Sequence, residues 1–125
     1  MVSVLLIEDD PLLRELLRDA MVAAGFTVTD APNGETGLKL FRADRPDLVV
    51  TDIVMDAGEG IGTIMDMHQT DPGVPIIAMS GNPMYLEHSL KLGAAETLQK
   101  PFSKEALIAA ARALLAKPSD RAAGD

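Results

Sequence analysis

"VSVLLIEDDPLLRELLRDAMVAAG", Val2 to Gly25, carries two periodicities in one short stretch. The run Val2 to Ile7 is almost continuously apolar and then stops at three acids. A short, near-unbroken apolar run of this kind predicts a strand covered on both faces. The rest has helical spacing. Asp10 can cap, Pro11 suits a first helical position, and Gly25 suits an exit. Leu12, Leu13, Leu16, Leu17, Ala20, Met21 and Ala24 are assigned to one inward face. A buried strand that passes straight into an amphipathic helix is half of a strand–helix–strand unit.

The pattern repeats downstream. "FTVTD" (Phe26 to Asp30) alternates, as a strand near a sheet edge would, and "NGETGLKLFRADR" follows as a helix capped by Asn33, with Leu38 and Phe41 inward. "DLVVTD" is the third strand. A weaker, glycine-containing helix follows from Ile61 to Thr70, with Ile64, Met65 and His68 near one stripe. "PIIAMSG" and "NPMYLEHSLKLGA" give the fourth strand and helix. "ETLQ" and "SKEALIAAARALLAK", capped by Ser103, give the fifth pair. Five strand–helix alternations predict an α/β fold, a doubly wound five-stranded parallel sheet between helical layers. An eight-unit barrel would need a longer chain. Residues 1–117 read as one domain and 118–125 as a tail or the start of a linker.

Composition narrows the function. The 125 residues carry a formal charge of -8, so the chain lacks the basic footprint of a nucleic-acid binder. It has no cysteine, which excludes a disulfide scaffold, a thiolate nucleophile and a cysteine zinc site. No apolar run reaches a membrane span and no export signal opens the chain, so a cytoplasmic protein is expected. Aromatic residues make up only 3%, and the core must be aliphatic with help from seven methionines.

In a parallel sheet the carboxyl ends of all strands lie at one edge, where ligands bind. Glu8, Asp9 and Asp10 follow the first strand, Asp52 ends the third, Ser80 ends the fourth and Lys100 follows the fifth. If the first and third strands are neighbours, Glu8, Asp9 and Asp52 converge. Three carboxylates so placed repel one another unless a cation joins them. All-oxygen ligation points to magnesium, manganese or calcium. Lys100 could add a positive charge and Ser80 a hydroxyl donor. Such a site could hold a phosphoryl group on a carboxylate, since aspartate is a phosphoryl-accepting nucleophile. The plainer alternative is turn capping by the three acids, with Ser80 as another cap and Lys100 a solvated lysine.

The motifs "LLIEDDPLLR", "PDLVVTDIVM", Glu59–Gly60, "PIIAMSG" and "LGAAETLQKPF" together resemble the response-regulator receiver domains of two-component signalling over nearly the whole chain. The resemblance implies a flavodoxin-like (βα)5 sandwich with strand order 2-1-3-4-5. It implies Mg2+, or Mn2+, held by Glu8, Asp9, Asp52 and the Val54 carbonyl, with Asp10 either behind the metal ligands or capping the helix. It makes Asp52 the phosphoacceptor, Ser80 the switch hydroxyl and Lys100 the phosphoryl-neutralising lysine, its bond to Pro101 cis. The implied partners are a sensor histidine kinase or histidine phosphotransfer protein and a downstream effector. A homodimer through the face of the fourth helix, fifth strand and fifth helix is also implied. Catalysis is then limited to transfer onto the domain itself and slow self-dephosphorylation. Two positions depart from the family: Asp56 stands where proline is usual, and Thr97 where tyrosine or phenylalanine is common. The alternative function is a receiver-like interaction module that is never phosphorylated.

Overall fold

A computed structural model describes residues 1–53 and 59–116, without the side chains of Glu59 and Gly60. Val54, Asp56 and the 117/118 boundary lie outside the described residues. Five strands alternate with five helices: β1 (Ser3–Ile7), α1 (Pro11–Ala23), β2 (Thr27–Ala31), α2 (Gly34–Ala43), β3 (Leu48–Asp52), α3 (Glu59–Thr70), β4 (Ile76–Ser80), α4 (Pro83–Leu92), β5 (Glu96–Gln99) and α5 (Lys104–Ala116). The strands form one sheet in the order β2-β1-β3-β4-β5, every pairing parallel. The alternating "TVTDA" of β2 thus lies at an edge, and the apolar β1, β3 and β4 lie inside.

Each face of the sheet has its own core. On one face, Leu5, Ile7, Val49, Ile76 and Ala78 pack with Phe41 of α2, Ile64 and Met67 of α3 and Leu86 of α4. On the other, Val4, Leu6, Val50, Ile77 and Met79 pack with Leu17 and Met21 of α1 and Leu107 and Ala111 of α5. Both clusters are mainly aliphatic, with Met67 and Phe41 in the first and Met21, Met79 and Phe26 in the second.

Three helices start on the caps expected from the sequence, Asp10, Asn33 and Ser103, and Asn82 caps a fourth, α4. Asp10 Oδ1 accepts from the Leu12 and Leu13 amides at 3.0 and 3.3 Å. Asn33 Oδ1 accepts from Thr36, Asn82 Oδ1 from Met84, and Ser103 Oγ from Ala106, at 2.8, 2.9 and 3.0 Å. Each satisfies a helix-end donor that would otherwise lack a partner.

Two helix faces are narrower or shifted relative to the sequence reading. In α1 only Leu17 and Met21 are buried, whereas Leu12 and Leu16 are 67% and 59% exposed. At about 100° per residue, Leu16 and Leu12 sit roughly 100° and 140° from Leu17, beyond the arc the sheet covers. In α3 the buried side chains are Thr63, Ile64 and Met67, and Met65 turns outward. That stripe is centred between Ile64 and Met67.

Gly93 closes α4 with φ 129°, a conformation that side chains rarely adopt. A Cβ there would also lie 2.6 Å from His68 Cγ and 2.7 Å from His68 Cβ on α3. Gly93→Ala is therefore expected to lower stability by about 2–3 kcal/mol. Urea denaturation at constant pH checks this; an unchanged midpoint would contradict it.

Candidate functional site

Register brings the site together. Ile7 pairs with Thr51 across β1 and β3, which sets Glu8, one residue further on, beside Asp52. Asp52 pairs with Met79 and Ser80 with Gln99, so Ser80 and Lys100 stand at the same sheet edge. The Lys100 amide donates to the Ser80 carbonyl at 2.8 Å and extends the β4–β5 ladder to the lysine.

Carboxylate oxygens of Glu8, Asp9 and Asp52 all lie within 4.8 Å of one another, the one such cluster among the described residues. Glu8 is fully buried, Asp52 half-buried and Asp9 exposed. The Lys100 ammonium sits between two of them, 2.9 Å from Glu8 Oε2 and 3.0 Å from Asp52 Oδ1. It also donates to Glu8 Oε1 at 3.2 Å. The sequence predicts that Lys100 adds a positive charge to the site; its direct bond to Glu8 comes from the fold. The Lys100–Pro101 peptide is cis.

The turn that carries the acids is held from several sides. The Glu8 amide donates to the Ala31 carbonyl of β2 at 3.1 Å, and the Asp10 amide donates to Glu8 Oε1 at 3.3 Å. Asp10 itself caps α1 and is absent from the carboxylate cluster. Arg14 Nη1 donates to the Glu8 carbonyl at 2.8 Å, a contact that nothing in the sequence singles out. A basic residue one helical turn after Asp10 was its only trace.

The charges disturb one another as their packing requires. Burial pushes the Glu8 carboxyl up to about 7, against the opposing Lys100 bond and with help from the Asp52 charge. Burial also raises Asp52, again opposed by Lys100 and reinforced by Asp9. Burial works against the Asp9 charge too, but hydrogen bonding with the Asp52 and Glu8 carboxyls outweighs it and holds Asp9 below its ordinary value. For Lys100, burial opposes the charge, and the bonds to Glu8 and Asp52 overcome it and raise the ammonium. Three acids thus share one lysine, with negative charge in surplus. Hard oxygen donors converging with surplus negative charge fit a hard divalent cation.

Ser80 is buried, and its Oγ accepts from the Asn82 amide at 3.1 Å. Asn82 in turn caps α4. The Ser80 hydroxyl is therefore tied to the start of that helix. Thr97 is half-buried on β5, in register with Ala78.

The match to known proteins agrees with this architecture. The family model described as the response regulator receiver domain matches residues 4–112. The chain is 35% identical over 127 residues to the response regulator MprA of Mycolicibacterium vanbaalenii, covering 99% of this chain and 55% of that protein. It is likewise 35% identical over 124 residues to the transcriptional regulatory protein CseB of Streptomyces coelicolor, covering 98% and 53%. The chain spans about half the length of these curated relatives. Among solved structures, the receiver domain of a Francisella response regulator, 1452, superposes with TM-score 0.84 at 26% identity, covering 92% of this chain and 97% of that one. A putative response regulator from Chloroflexus aurantiacus shares the fold at TM-score 0.86 and 24% identity, covering 93% and 98%. The five-stranded parallel sheet with an acidic cluster at its carboxyl edge is consistent with a receiver-type signalling domain. The chain belongs to the response regulator receiver domain family.

Proposed function

We propose that this domain accepts a phosphoryl group on Asp52 from the phosphohistidine of a sensor histidine kinase or a histidine phosphotransfer protein, and thereby switches a protein-binding surface. The observation that carries this reading is the convergence of Glu8, Asp9 and Asp52, with the Lys100 ammonium 3.0 Å from Asp52 Oδ1. An Asp52 oxygen attacks phosphorus in line, a P–O bond forms, and the P–N bond to the donor imidazole breaks. The transition state is loose and spreads charge over the equatorial oxygens. Lys100, already on Asp52, is placed to neutralise one of them. Glu8 and Asp9, with Asp52 and the Val54 carbonyl, would hold Mg2+ or Mn2+. Such an ion, when bound, supplies positive charge against the phosphoryl oxygens and fixes their orientation. Water later cleaves the acyl phosphate, so catalysis is confined to the domain itself.

The Ser80 hydroxyl is the group we assign to the switch. Turning to donate to a phosphoryl oxygen would free the Asn82 amide it now serves and unsettle the start of α4. A change there reaches the face of α4, β5 and α5, where an effector or a second copy would dock. Thr97 is smaller than the aromatic residue common in the family, so Tyr85 and Met84 of α4 are the groups we expect to carry that change. Among the described residues no helix is long and apolar enough to cross a membrane.

The test is incubation with acetyl phosphate and Mg2+. An acid-stable, base-labile adduct on Asp52 is expected. Its absence from correctly folded protein would favour an interaction module that works without phosphorylation.

A further inference from the structure

The peptide unit that joins Glu8 to Asp9 is planar, so turning it changes ψ of Glu8 and φ of Asp9 together. Its oxygen is the Glu8 carbonyl, and Arg14 Nη1 donates to that oxygen at 2.8 Å. Arg14 is itself held. Its Nε lies 3.7 Å from Asp30 Oδ2 on β2, and the same oxygen takes Arg18 Nη1 at 3.3 Å. The Arg14 side chain is only 22% exposed. One guanidinium thus spans from β2 to the acidic turn, using separate nitrogens of its rigid fork. The Glu8 amide is already fixed to β2 through Ala31. On the other side of this residue, Arg14 holds the carbonyl, alongside the bond from the Asp10 amide to Glu8 Oε1.

We propose that Arg14 is a positioning residue for cation binding: it locks the Glu8–Asp9 peptide so that both carboxylates face the same ion. The inference rests on the metal-binding reading given above. It makes a prediction of distinctive sign. Arg14 is a cation beside a cation site, so by charge alone its removal should tighten metal binding. A positioning role requires the opposite.

The experiment is calorimetric titration of Mn2+ into the wild-type chain, Arg14→Met and Arg14→Lys, below the melting temperature and with the fold verified by circular dichroism. Both variants are expected to bind roughly tenfold more weakly, the scale seen when groups orienting metal ligands are removed. Lysine keeps the charge but cannot span Asp30 and the Glu8 carbonyl with a fork, so it should not rescue. Wild-type or tighter affinity in Arg14→Met, or full rescue in Arg14→Lys, would overturn the proposal. If Arg14→Met does not fold, Arg14→Lys decides alone: tenfold weakening supports the lock and wild-type affinity refutes it. A wild-type chain that takes up no Mn2+ would instead refute the metal-binding reading beneath the proposal.

Discussion

Asp52→Asn is expected to abolish the acetyl phosphate adduct while leaving the fold at least as stable as wild type. The amide oxygen is too weak a nucleophile to be phosphorylated, and the other acids are poorly placed to substitute. Glu8 is fully buried with its oxygens on Lys100, and the Lys100 ammonium that would meet the phosphoryl group pairs with Glu8 and Asp52 rather than with Asp9. Stability should not fall, because burial already raises the Asp52 carboxyl and marks its ionised form as unfavourable there. Asparagine removes that charge and leaves Lys100 paired with Glu8. Mass spectrometry after labelling, together with a thermal melt, checks both halves. A base-labile adduct on the variant would show that Asp52 is not the acceptor.

Lys100→Met should produce the second large effect, on stability and on transfer together. It leaves the fully buried Glu8 beside Asp52 with no positive charge between them. Breaking a buried pair from one side costs about 3–5 kcal/mol; with Lys100 a quarter exposed, roughly 2–3 kcal/mol is expected at pH 8. The loss depends on pH in a defined direction. In the wild type Glu8 is raised from 4.5 to about 7. A raised acid favours the fold while it keeps its proton. That contribution is complete below about 4.5 and disappears as pH climbs through about 7. The metal-free wild-type chain should thus be less stable at pH 8 than at pH 5.5, and Lys100→Met should steepen the slope. Near pH 5 a protonated Glu8 no longer needs the lysine and the penalty should shrink. Labelling by acetyl phosphate should slow by about a hundredfold or more, as when one charge-stabilising donor is removed from a reacting group. Denaturant melts across pH check the first claim. A penalty independent of pH would show that Lys100 acts through packing of its stem.

The fold was legible because strand and helix periodicities alternate cleanly and because Asp10, Asn33 and Ser103 each cap the helix that follows. The acids were legible because parallel topology sends every strand end to one edge, so order along the chain becomes proximity in space. What escaped was of two kinds. Leu12, Leu16 and Met65 are apolar at helical spacing yet exposed, since periodicity gives a stripe but not the arc that the sheet covers. The contact of Lys100 with Glu8 spans 92 positions, and that of Arg14 with the Glu8 carbonyl uses a backbone atom. The first leaves no local pattern in the sequence, and the second only a basic residue one turn after Asp10. Both decide how charge is balanced at the site, which is why residue type alone gave the members of the cluster but not their pairing.

Phosphorylation as proposed requires that the acid trio bind a divalent ion, with Asp9 as a ligand and Asp10 as a cap. Titration of Mg2+ into the wild-type chain, Asp9→Ala and Asp10→Ala measures this most directly. Saturable binding to the wild type is predicted, with a large loss in Asp9→Ala and a small one in Asp10→Ala. No uptake by the folded wild-type chain, or equal losses in the two variants, would contradict it.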